Sequence, residues 1–371
     1  MMDTYTRSIE IILANQAPSG AYVASPNFLP YRYCWFRDGA FIAYAMDLAG
    51  QTQSASRFHA WASATINTRA DAVERAVANA RTGRPPAPPD MLHTRYTLDG
   101  RDGLAEEWPN FQLDGFGTWL WSLEEHCRIT GSAVPGDWLG AAGLVAKYLA
   151  ALWRFPCFDC WEEFPDQVHT YTLAAIYSGL RAHTALSGAD HASVLDQIRC
   201  FINGSATANG RFVKAVGRAD VDASMVALAV PYQVTTLDDA YLFATLEAIE
   251  RDLRRGGGVH RYAGDTYFGG GEWVLLTAWL GWYYAEAGQR ERAMKLLAWV
   301  EAQADERGNL PEQTPATLND SSYYEPWRQR WGEIARPLLW SHAKYLILKK
   351  VLERPELMAH PATRQGHKEK E

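Results

Sequence analysis

Two kinds of helical hydrophobic pattern alternate along this chain. In the first kind the apolar residues form one stripe. From Thr236 onward, Leu242, Leu246, Ile249 and Leu253 fall at i, i+4, i+7 and i+11, on a single helix face. Thr236 and Asp239 resemble a capping box with Asp in place of the usual Glu. Met294, Leu297 and Val300 repeat the stripe in the segment after Arg290. The second kind is apolar on every side. Glu272 to Trp282, Ala223 to Val230 and Leu173 to Leu180 offer no polar face, which means burial all round.

The spacing predicts amphipathic helices near residues 3–15, 52–80, 138–153, 188–203, 236–254 and 289–304. It predicts more apolar ones near 39–50, 114–130, 169–186, 221–230, 272–287 and 337–352. Six inner and six outer helices pack naturally as one ring inside another. The expected fold is all-α, an (α/α)6 barrel or six-hairpin toroid, formed as a single domain by residues 1–354 and followed by a polar tail over 355–371. An α-solenoid would carry an internal repeat, and none is visible. Two long connections interrupt the alternation. Residues 81–109 carry Pro85, Pro86, Pro88 and Pro89 ahead of Thr94–Leu98 and Asp99-Gly100, which suggests a turn or hairpin over the barrel. Residues 306–336 form the other.

Composition and charge exclude several classes. A net charge of −7 argues against a general nucleic-acid footprint or a basic membrane surface. No run of about 18 apolar residues exists to span a bilayer. The start of the chain lacks the basic, apolar and small-residue regions of a secretory signal, and the predicted first helix begins within a few residues of Met1. With five scattered cysteines, these features lead us to expect a cytoplasmic protein with no accessory domain ahead of the barrel. Cys157 and Cys160 form a lone C-x-x-C, and zinc would need a second pair. There is no Walker motif and no H-E-x-x-H, and Gly256-Gly257-Gly258 follows no strand. No metal and no cofactor are expected. Tryptophan is the unusual residue: fifteen indoles imply an aromatic core, or a surface that stacks flat apolar rings such as sugar faces.

The chemically loaded residues fall in the six connections that lead from an outer helix into the next inner one. These hold Trp35-Phe36-Arg37-Asp38, Asn110 to Asp114 and Gly115, Asp159-Cys160-Trp161-Glu162-Glu163, Asp220 to Asp222, Arg261-Tyr262 through Asp265 to Tyr267, and Leu310-Pro311-Glu312-Gln313. In such a barrel all six emerge at one end. Each has a plainer reading alone: Asp38 as a helix-dipole partner, Glu162 and Glu163 as first-turn acids, Glu312 as a loop residue. Gathered at one mouth, carboxylates among indoles and arginines suit glycoside hydrolysis. One carboxylic acid protonates the leaving oxygen, and another carboxylate activates water or attacks directly. Hydroxyl pairs suit Arg and Asp forks.

At these residues the sequence resembles glycoside hydrolase family 15, the glucoamylase type, over about residues 5–350. The segments Ser19–Ser25 with Tyr31–Asp38, Asn110–Gly115, Trp161-Glu162-Glu163, Arg261–Tyr267 and Leu310–Gln313 with Pro337–Ala343 match its blocks in order. The resemblance implies an exo-acting, inverting α-glucosidase that releases β-glucose. By position it makes Glu162 the general acid and Glu312 the general base, with Tyr31 holding the attacking water and Tyr267 bracing it. It sets Arg37, Asp38 and Arg261 on the terminal glucosyl unit, and Asp159, Glu163 and Trp273 toward the aglycone. Trp35, Asp114, Trp161, Tyr262 and Asp265 stand in the same blocks as further substrate-binding candidates.

Burial beside Trp161 and the like charge of Glu163 are expected to keep Glu162 protonated, while Glu312 stays ionised. Inversion leaves roughly 6.5–9.5 Å between the two carboxyl groups. Without accessory domains, the expected substrate is a short α-gluco-oligosaccharide such as isomaltose, a small isomalto-oligosaccharide or maltose, taken by a monomer or small homo-oligomer. Residues 314–336, with Tyr323, Tyr324, Trp327 and Trp331, are expected to form a lid beyond the +1 site. A trehalase-type hydrolase of this family and a silent glucan-sensing protein on the same barrel stay open as alternatives.

Overall fold

A computed structural model describes residues 3–104 and 107–353. The expected tail over 355–371 lies outside the described residues. The helices are α1 Thr4–Ala14, α2 Phe36–Leu48, α3 Thr52–Asn67, α4 Ala70–Arg81, α5 Asp114–Thr130, α6 Gly136–Leu152 and α7 Thr170–Ser187. They continue with α8 Ala192–Ser205, α9 Ala240–Asp252, α10 Val274–Glu286, α11 Arg290–Glu301, α12 Tyr324–Trp331 and α13 Leu339–Glu353. Among the described residues, none is long and apolar enough to cross a membrane.

The inner ring closes in chain order. Helix α2 packs on α5, α5 on α7, α7 on the 3-10 helix Ala223–Leu228, that piece on α10, α10 on α13, and α13 back on α2. The outer elements cover it, with α3 on α2, α6 on α3 and α7, α8 on α7, α9 on the 3-10 helix, and α11 on α10 and α13. The fold is the (α/α)6 barrel that the two hydrophobic patterns imply. Burial follows those patterns: α10 is buried from Val274 to Tyr284, whereas α9 buries one stripe containing Leu242, Leu246 and Ile249. Glycine sets the closest approach. A Cβ on Gly117 of α5 would stand 2.3 Å from the carbonyl oxygen of Ala175 in α7, so the two backbones touch.

Three expectations change. The fourth inner element is a six-residue 3-10 helix, not a helix over 221–230; Pro231 has no N–H to extend it. The segment 52–80 is two helices, because Arg69 leaves helical geometry and its guanidinium bonds to Thr65, Gly100 and Asp102. The connection 306–336 contains α12.

The mouth connections pair with one another. Cys34-Trp35 forms a short antiparallel ladder with Arg95-Tyr96, at the base of the expected turn over Asp99-Gly100. Glu272-Trp273 pairs likewise with Gln313-Thr314. All five cysteines are free, and Cys157 and Cys160 are buried.

Candidate active site

The loops at this end enclose a cavity of about 330 Å³, within the range of small-ligand sites. Glu162 and Glu312 are among the carboxyl groups that line it, and each is held by different elements.

Glu162 sits on a tight turn between α6 and α7. Asp159 organises that turn: its Oδ1 accepts hydrogen bonds from the backbone N–H of Trp161 and of Glu163, both at 2.9 Å. Its Oδ2 lies 2.8 Å from Lys214 Nζ, which also bonds Asp222 at 2.7 Å. Asp222 accepts from the Trp161 indole at 2.8 Å and so ties off the turn. The turn forces Glu162 to a φ of 69°, left-handed geometry that a non-glycine residue rarely adopts. Strain of this kind persists only where the surroundings over-determine it. The carboxylate then accepts a 2.6 Å hydrogen bond from the Trp35 indole. Burial pushes the Glu162 pKa up to about 7 and Asp38 adds to it, opposed by Arg37 and by the Trp35 hydrogen bond.

Glu312 enters from the ladder with Glu272-Trp273, and its backbone N–H bonds Ala335. Tyr31 Oη donates to Glu312 Oε1 at 3.1 Å and lies 3.0 Å from Tyr267 Oη. Glu312 Oε2 is buried and receives no hydrogen bond from the protein. Burial raises the Glu312 pKa to about 8, outweighing the Tyr31 hydrogen bond and the charge of Arg261. Tyr31 and Trp35 meet edge to face at 5.7 Å, so aromatic contacts run from one carboxyl to the other.

Two arginines complete the walls. Arg37 bonds Gln112 at 3.0 Å and Asp114 at 3.1 Å, and its guanidinium lies 5.3 Å from the Trp340 ring. Asp38, beside it, is buried, which raises its pKa to about 6. Arg261 is clamped by Asp265 through two hydrogen bonds and packs over Trp273 and Trp161. Tyr262 donates to Glu163 Oε2 at 2.5 Å.

Eleven of the residues singled out from sequence line the cavity: Tyr31, Trp35, Arg37, Asp38, Trp161, Glu162, Glu163, Arg261, Tyr267, Trp273 and Glu312. Asp114, Asp159, Tyr262 and Asp265 stand behind them, holding Arg37, the Glu162 turn, Glu163 and Arg261 respectively. Two electrostatic expectations differ. The like charge acting on Glu162 is Asp38, since Glu163 turns to Tyr262 and Arg261. Glu312 is also shifted up, where an easily ionised carboxyl was expected. The sequence reading did not single out Lys214, which carries no motif and is visible only as a cation between two buried carboxylates.

The sequence matches glycosyl hydrolases family 15 over residues 1–314. The chain belongs to that family. It is therefore a glycoside hydrolase. Among its family relatives, the isomaltose glucohydrolase of Kribbella flavida is 40% identical over 346 residues, 91% of this chain and 89% of that one. A glycosidase solved as the wild type superposes with a TM-score of 0.90 at 38% identity, over 94% of this chain and 96% of that one. Its single-residue variants include Tyr-to-Phe and Glu-to-Ala forms, one of the latter in complex with glucose. A bacterial glucoamylase complexed with acarbose shares the fold at a TM-score of 0.73 and 21% identity, over 98% of this chain and 57% of that one.

Proposed function

We propose that this enzyme hydrolyses short α-glucosides from the non-reducing end with inversion, Glu162 acting as general acid and Glu312 as general base. The observation that carries this reading is two carboxyls on one pocket, half-buried Glu162 and buried Glu312, each oriented by an aromatic donor, Trp35 and Tyr31. Glu162 protonates the glycosidic oxygen. Glu312 accepts a proton through Oε2 from a water that Tyr31 helps to hold, and that water attacks the anomeric carbon from the opposite face. Arg37, Asp38 and Arg261 grip the terminal glucosyl hydroxyls. NMR of the first turnovers on maltose, isomaltose, nigerose, kojibiose, trehalose and dextran is the test. We expect β-glucose from isomaltose or maltose and little from trehalose. An α-anomer product overturns the mechanism.

The pKa order gives a sharper expectation. The productive form needs Glu312 ionised and Glu162 protonated. Burial pushes both groups up, Glu162 to about 7 and Glu312 to about 8, so the form with the proton on Glu312 competes with the productive one. The plot of kcat/KM against pH is expected to be a bell that falls below about 7 and above about 8. Tyr31→Phe removes a hydrogen bond that lowers the Glu312 pKa. In this reversed order, raising that pKa moves the alkaline limb upward, lowers the plateau and leaves the acid limb in place. A shift of the acid limb instead shows that Glu312 is the more acidic group.

We infer that chain length is limited by the segment over residues 314–336, which contributes Trp327, Arg330 and Trp331 to the cavity lining. Trp327 packs against Tyr267 at 5.0 Å, so this lid rests on the bracing tyrosine. We expect kcat/KM to fall from isomaltose to long dextran. A steep rise with chain length contradicts the lid.

A further inference from the structure

At the end of the barrel away from the mouth, three side chains with metal-binding donors meet. Asp47 lies near the C-terminus of α2, nine residues and about 14 Å along the helix from the pocket residue Asp38. His59 comes from α3 and His126 from the last turns of α5. All three are buried, and one donor atom from each lies within 4.8 Å of the other two. The imidazole rings of His59 and His126 stand 5.0 Å apart, and Trp138 covers both at about 6 Å.

His59 is fully buried, and neither of its ring nitrogens has a hydrogen-bond partner. Leaving both nitrogens of a buried imidazole unsatisfied costs free energy that folded proteins rarely tolerate without a ligand or an ion. His126 shows the complementary arrangement. Its Nε2 lies 3.0 Å from the Ser56 hydroxyl, and its Nδ1 faces both oxygens of Asp47 at 2.9 and 3.0 Å. At these distances Nδ1–H donates to Asp47 and Nε2 accepts from Ser56; a metal at Nδ1 would displace that proton and leave Nε2–H to donate to the Ser56 hydroxyl. A ring N–H bonded to an outer acceptor is the usual means of orienting a histidine metal ligand.

We propose that Asp47, His59 and His126 bind a divalent transition metal, zinc by ligand type, which joins two inner helices to an outer one. Two imidazoles and a carboxylate are an ordinary zinc donor set. At bond lengths of about 2.0–2.1 Å, tetrahedral ligands stand about 3.3 Å apart, so His126 Nδ1 and Asp47 would open by a few tenths of an ångström while donors as far apart as 4.8 Å would close. The site is remote from the proposed chemistry and serves stability.

The test uses the whole chain without a histidine tag, stripped with chelator and titrated with Zn²⁺ or Co²⁺. We expect one equivalent bound, a visible Co²⁺ absorption of tetrahedral type, and a melting temperature raised by about 4 °C or more at saturation. His59→Gln is expected to lose all three responses, while the His183→Gln/His191→Gln double variant, altering the separate histidine pair on α7 and its following turn, keeps them. Substoichiometric binding, an unchanged melting temperature, or binding that survives His59→Gln overturns the site. Should His59→Gln fail to fold, X-ray absorption on the wild-type zinc protein decides: two imidazoles and oxygen support the proposal, and sulfur or fewer imidazoles overturn it.

Discussion

Glu312→Gln is expected to lower kcat on isomaltose by about 10²–10⁴-fold with little change in KM, because it removes proton acceptance in the transition state and leaves a side chain of the same shape. Tyr31 can still donate to the amide oxygen, so the fold around Oε1 is preserved. Glu162→Gln is expected to cost as much on isomaltose, for a different reason: the leaving sugar no longer receives a proton. The two losses separate on α-glucosyl fluoride, whose leaving group needs no protonation. Glu162→Gln regains most of its rate on that substrate and Glu312→Gln does not. Equal recovery by both variants, or by neither, removes the assignment of acid and base.

Lys214→Met is expected to destabilise the protein by about 3–5 kcal/mol, the usual cost of breaking a buried charge network by removing one partner. Lys214 Nζ is the cation between Asp159 and Asp222, and both carboxylates are buried. Without it, Asp159 loses the charge that holds its pKa down and with it the ability to brace two backbone N–H groups of the Glu162 turn as a carboxylate. Activity is expected to fall along with stability, since the left-handed backbone at Glu162 depends on that turn. The urea unfolding midpoint measures the first effect and kcat the second. An unchanged midpoint means that the carboxylates find other partners, and Lys214 is then not the keystone of the turn.

Periodicity made the ring legible because inner helices are buried on every face and outer ones on a single stripe. It failed where local chemistry overrides the pattern. The apolar run 221–230 reads as a full helix, but Pro231 limits it to a 3-10 piece. Arg69 looks like an ordinary helix surface residue, yet its ties to Thr65, Gly100 and Asp102 break the outer helix there. Helix α12 has no buried residue, so no apolar stripe announces it, although its two tryptophans were conspicuous. The pocket residues stood out because unusual types clustered in the connections at one end. Part of their support did not: Lys214 bridges Asp159 and Asp222, 55 and 8 positions away, and Gln112 bonds Arg37 75 positions away. Asp47, His59 and His126 are separated by 12 and 67 positions on three helices, a spacing with no motif to read.

The pairing of mouth connections bears on how this scaffold can change in length. Trp273 and Gln313 are rungs of one ladder, next to Glu312, and Trp35 is a rung of another, two residues before Arg37. An insertion at either ladder would slip the register and turn a pocket side chain to the wrong face. The turn at Asp99-Gly100 and the stretch around α12 lie outside those rungs, and α12 is largely exposed. Of these two segments only the stretch around α12 lines the pocket, through Trp327, Arg330 and Trp331, so a change of loop length there is expected to reshape the outer pocket while the walls set by the two ladders keep their register.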